Sequence, residues 1–133
     1  MSLKKPLTLF LVLFLLSSCL TPTYAVPAQK SLVIIDTGFD TSLQPIKDAV
    51  IFESCIMSWA MCPNGQYFQE GTGSAALPAN LLNSGNVSHG TQMASIALNT
   101  YPGQKIVLIR LIAYNSRGDR LPVYESTVVQ AFK

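Results

Sequence analysis

The chain has 133 residues, of which 49% are hydrophobic and 12% charged, for a formal net charge of +2. This is more apolar than an ordinary soluble domain, and much of the excess sits at one end. Without Lys4 and Lys5 the nine basic residues fall to seven, against seven acidic ones, so neither nucleic acid nor an anionic surface is indicated as a partner.

Lys4 and Lys5 precede an uncharged run from Leu7 to Leu16 and then small residues, the order of a secretory signal peptide. The run is shorter than the ~20 apolar residues of a membrane span. Two processing sites fit. Thr23-Tyr24-Ala25 ends in a small residue, which makes 1–25 the signal peptide and Val26 the first mature residue. Leu16-Ser17-Ser18-Cys19 resembles a bacterial lipobox, which makes 1–18 the leader and Cys19 a lipidated membrane anchor. Residues 26–133 then read as the N-terminal part of a single domain. A membrane is a partner only if Cys19 is lipidated, and oligomeric state has no signature.

Ser31 to Ile35 is a β-branched apolar run that stops at Asp36-Thr37-Gly38, and it predicts a buried strand ending in a tight turn. Residues Thr41 to Val50 suggest a short helix broken by Pro45, and Ala49 to Phe52 a strand. Cys55 and Cys62 are the even pair left in a chain bound for an oxidising compartment, so a disulfide is expected. Its short loop would contribute ~2–3 kcal/mol. Metal binding is not expected, because there is no second cysteine pair and His89 is the single histidine.

From Cys62 to Asn86 the chain is rich in Gly, Asn, Pro and Ser, which predicts loop. A helix is expected over His89 to Asn99, capped by Ser88, with Met93, Ile96 and Ala97 on one face and Pro102-Gly103 stopping it. Lys105 to Ile112 reads as a second continuous apolar strand of a parallel sheet covered on both faces. After a turn at Asn115-Ser116-Arg117-Gly118, the residues Val123, Thr127, Val128, Ala131 and Phe132 form a helical stripe beginning near Pro122. The expected class is α/β. A stripe running to Lys133 without a glycine cap is what a truncated domain would leave, with apolar surface exposed and low independent stability.

Two segments carry the chemistry, Val33-Ile34-Ile35-Asp36-Thr37-Gly38 and His89-Gly90-Thr91-Gln92-Met93-Ala94. Both resemble the subtilisin-like serine proteases, in which an apolar strand delivers an aspartate in an Asp-Thr-Gly or Asp-Ser-Gly turn and a helix opens with His-Gly-Thr-x-Val-Ala. Met93 replaces the usual valine, and Ser95 stands where glycine is common. The resemblance implies a partial subtilisin-like parallel sheet flanked by helices, with the Asp, His, Ser order of that family. It makes Asp36 the residue that orients the histidine and His89 the general base. Protein or peptide is the implied substrate, and no cofactor is implied; calcium use has no signature here.

The family's nucleophile lies in a Gly-Thr-Ser-x-Ala segment preceded by an oxyanion-stabilising asparagine, both far after the histidine, and neither occurs in this sequence. Gly71-Thr72-Gly73-Ser74-Ala75 is only superficially similar and precedes His89, so Ser74 is read as a loop residue. The chain alone is therefore expected to be inactive. Two rivals are an exported non-catalytic α/β relic that binds a partner, and an aspartic protease built on Asp36-Thr37-Gly38. Asp40 and the Arg117-Gly118-Asp119 tripeptide read as surface turns. Asn86-Val87-Ser88 matters only where the source glycosylates.

Overall fold

The computed structural model describes residues 30–82, 88–115, 117 and 119–133. The apolar leader, Cys19 and both processing sites lie outside the described residues, as do Asn86 and Val87. No helix among the described residues is long and apolar enough to cross a membrane.

The two apolar runs seen in the sequence become adjacent parallel strands. β1 (Leu32–Asp36) pairs with β4 (Ile106–Arg110) from Leu32 opposite Ile106 to Asp36 opposite Arg110. On its other side β4 pairs in parallel with β2 (Val50–Ile56), with a bulge between Val50 and Phe52. The sheet order is β1-β4-β2-β3. β4 is thus central, and its continuous hydrophobicity is explained by burial on both faces: Ile106 and Leu108 point to one layer, Ile109 and the following Leu111 to the other. β1 is an edge strand. Leu32 and Val33, read as buried, are 40% and 51% exposed, and burial is complete only at Asp36.

β2 is longer than expected because its second half is not visibly apolar. Glu53 and Ser54 are buried in it, and the Glu53 carboxylate accepts a hydrogen bond from the Ala75 N–H at 3.2 Å. The segment read as loop after Cys62 contains β3 (Phe68–Glu70), antiparallel to β2 with Cys55 opposite Gln69. The sheet is therefore mixed rather than parallel. The Cys55–Cys62 disulfide closes the hairpin between these strands, with both residues buried.

Helices cover both faces, as an α/β domain requires. α1 (Gln44–Ala49) and α2 (His89–Thr100) lie on one face, where Ile46, Ala49 and Ala94 pack with Phe39, Ala75, Ile106 and Leu108. Pro45 occupies the first turn of α1 and so starts the helix instead of breaking it, since its fixed φ suits that position and no N–H is missed there.

α2 does not bury the stripe expected of it. Met93 and Ile96 are 40% and 57% exposed, while Gly90 and Ala94 are buried. Small residues win because the helix approaches the sheet too closely for larger ones. Nor does Ser88 cap the helix with its side chain; its hydroxyl accepts from Gln92 Nε2 at 3.2 Å.

α3 (Glu125–Ala131) covers the other face, with Val123, Val128 and Ala131 against Ile56, Ile109 and Leu111. It begins three residues after Pro122, behind Tyr124. Thr127 is buried and shares a 2.9 Å hydrogen bond with Ser58, but Phe132, read as part of the stripe, follows the last helical residue and is 76% exposed. This helix leaves one row of the sheet partly open. Val33 and Phe52 flank Val107 in register, and both are substantially exposed.

Candidate active site

Parallel strands end together, so the residues at their carboxyl ends share one rim, and Asp36 is the last residue of β1. Its backbone is pinned to β4's end, its carbonyl accepting from the N–H groups of Leu111 and Ile112 at 2.9 and 3.2 Å. One carboxylate oxygen also accepts the Thr37 N–H at 2.7 Å. The carboxylate is buried, held by its own turn before any partner side chain is considered.

His89 opens α2 across from it. Its Nδ1 lies 2.8 Å from Asp36 Oδ2 and 3.0 Å from Oδ1. The histidine side chain is 59% exposed whereas that of Asp36 is 10% exposed, so a buried acceptor holds an accessible ring. An ionised carboxylate only accepts, which places the proton on Nδ1 and leaves Nε2 of a neutral ring as a proton acceptor. Nε2 has no hydrogen-bond partner among the described residues.

Two threonines lock the turn to the helix. The Gly90 N–H donates to Thr37 Oγ1 at 3.3 Å, and the Asp40 N–H donates to Thr91 Oγ1 at 2.8 Å. Thr37 thus accepts a backbone proton of the helix, and Thr91 one from the chain just after the Asp36 turn. The glycines permit the approach. A Cβ on Gly90 would overlap the Gly38 carbonyl oxygen and lie 3.1 Å from both Asp36 Cβ and Phe39 Cε1. Gly38 has φ +122°, outside the range of L side chains, and a Cβ there would lie 2.8 Å from Leu77 Cδ2. Sequence reasoning singled out Asp36 and His89 but not the roles of Thr37, Gly90 and Thr91. Their position inside the same two motifs was the available signal.

Arg110 was also missed. It stands opposite Asp36 in the β1–β4 register, is buried, and donates Nη1 to the Ala76 carbonyl at 3.2 Å. Burial pushes its guanidinium pKa below the ordinary value. Ser74 is fully buried in the turn after Gly71, and its hydroxyl does not pair with His89. Asp40 forms a local turn with Ser42, and Arg117 pairs with Asp119 at 3.4 Å. Compared with known proteins, the chain matches no family model, no curated protein and no solved structure.

Proposed function

We propose that Asp36 and His89 are the orienting carboxylate and the general base of a serine-type endopeptidase of the subtilisin-like kind, acting on protein or peptide. The observation that carries this reading is the pair itself, a buried carboxylate bonded through both oxygens to Nδ1 of an accessible imidazole. In that chemistry Nε2 takes the proton of a serine hydroxyl as its oxygen attacks the scissile carbonyl, then returns it to the leaving amine. Asp36 keeps the ring in the required tautomer and stabilises the imidazolium that forms.

No Gly-Thr-Ser-x-Ala segment follows His89, so these 133 residues supply two members of a triad and not its nucleophile. Triad members act as a unit, and two without the third retain little of its rate enhancement. A second reading is a non-catalytic binding module that keeps the Asp-His geometry. The aspartic-protease reading is disfavoured because the Asp36 carboxylate faces a histidine, not a second carboxylate. Export is supported by the Cys55–Cys62 disulfide, a bond that persists in oxidising compartments. Anchoring through Cys19 rests on its lipobox alone.

Fluorophosphonate labelling tests the reading. The 133-residue chain is expected to remain unlabelled and to hydrolyse no casein. A longer product of the same reading frame that carries the serine segment should be labelled, and His89→Ala should abolish that labelling. Hydrolysis blocked by pepstatin and untouched by fluorophosphonate would overturn it. A longer product that is never labelled would favour the binding module.

A further inference from the structure

Arg110 is a buried cation with no carboxylate bonded to it among the described residues. The sequence contains seven acidic side chains, all of them among the described residues, and Arg110 forms an ion pair with none of them. Its guanidinium makes one hydrogen bond, from Nη1 to the Ala76 carbonyl, and its Nε is buried with no partner. Burying a charged group that keeps an unsatisfied donor is costly.

The place is a cavity of about 300 Å³ lined by Arg110 together with Cys62, Pro63, Gly73, Leu77 and Pro78. Such a volume suits a side chain or a small ligand. Arg110 and Leu77 are also the side chains that a Cβ on Gly38 would meet, so the cavity adjoins the turn that carries Asp36. The rest of the lining is uncharged, which limits the guest: a single guanidinium balances one negative charge, and a dianion would keep one charge without a partner. The planar fork of arginine matches a carboxylate.

We propose that this cavity binds a monocarboxylate on a short aliphatic body, as presented by an acidic peptide side chain or a peptide C-terminus, with Arg110 as the anion-binding residue. The site goes beyond the peptidase reading and does not depend on it, because binding there requires neither His89 nor a nucleophile.

The test is titration of the 15N-labelled protein, followed through the arginine Nε–Hε resonances. The chain has three arginines, Arg110, Arg117 and Arg120, and the spectrum of Arg110→Lys assigns the relevant signal by its loss. N-acetylglutamate α-amide presents a side-chain carboxylate, and N-acetylalanine a terminal one. At least one should move the Arg110 signal saturably and bind about tenfold tighter than its uncharged amide counterpart, which corresponds to roughly 1.4 kcal/mol; which of them binds tighter identifies the source. If Arg110→Lys proves unstable, the signals lost in Arg117→Lys and Arg120→Lys, both at exposed positions, assign that of Arg110 by elimination. No shift with either carboxylate, an equal shift with the amides, or an equal shift with chloride or phosphate would overturn the proposal. None of these outcomes bears on the Asp36–His89 reading, which fluorophosphonate labelling decides separately.

Discussion

Gly90 sits so close to the carbonyl oxygen of Gly38 that a Cβ on Gly90 would overlap it. The obstacle is backbone on a turn whose own geometry is fixed by the φ of +122° at Gly38, so it cannot move aside as a flexible side chain would. The contact sets the distance between the end of β1 and the start of α2, and with it the length of the Asp36–His89 bond.

Gly90→Ala should therefore cost more than an ordinary small-to-large change in a tight site, about 3 kcal/mol or above, against the usual 1–3. Urea denaturation of the variant measures the loss. A stability within 0.5 kcal/mol of wild type, on the order of a neutral surface change, would mean that the helix does not dock this closely.

The Asp36–His89 bond should be directly visible. A proton on Nδ1 held by a buried carboxylate is shielded from exchange and deshielded magnetically, so the wild-type protein should show a downfield imidazole proton resonance. Asp36→Ala should remove it, and so should His89→Gln. Persistence of the signal in Asp36→Ala would assign the ring another partner.

The buried face of α2 separates the structure from the sequence pattern. Ala94 is fully buried beside Phe39, Ile46, Ile106 and Leu108, whereas Ile96 is 57% exposed. Ala94→Leu should destabilise by about 1–3 kcal/mol through overpacking, and Ile96→Ala should stay within roughly 0.5 kcal/mol. Thermal melts of the two variants decide this, and the opposite ranking would restore the Met93–Ile96–Ala97 face.

Removal of the disulfide by Cys55→Ala with Cys62→Ala should lower stability by about 2–3 kcal/mol, the entropy gained by the unfolded chain when so short a loop is opened. Both cysteines are buried, so lost packing adds to this figure. Denaturant midpoints with and without reductant provide the comparison. Wild-type protein whose midpoint is insensitive to reductant would show that the bond contributes nothing.

Leu108→Ala tests the central strand. The side chain is fully buried on β4 between two parallel neighbours, so truncation should cost about 2–5 kcal/mol. Val33→Ala, at an edge position that is 51% exposed, should cost far less.

Local order was legible wherever a short stretch of chain contains its own cause. The run before Asp36 and the run from Ile106 to Arg110 are hydrophobic in ways that a few consecutive residues reveal, and the helix from His89 is bounded by the Pro102-Gly103 that follows it. β3 was not legible, since three residues with no marked alternation become a strand only because β2 offers them an edge. The polar half of β2 was hidden for a similar reason: Glu53 tolerates burial because Ala75, 22 residues away, donates to it.

The sequence by itself determined that an aspartate would end one apolar strand, that a histidine would begin a helix, and that two cysteines were available to pair. Hydrophobic period, glycine and proline act over a few residues, so such features are written locally. Only the tertiary structure decided that Asp36 and His89, 53 residues apart, meet at 2.8 Å, and that α2 turns its small residues inward. The same is true of Arg110, which the fold buries without an ion pair among the described residues. Those outcomes depend on which strands become neighbours and how closely a helix can approach them, and the contact between Gly38 and Gly90 bears on the second.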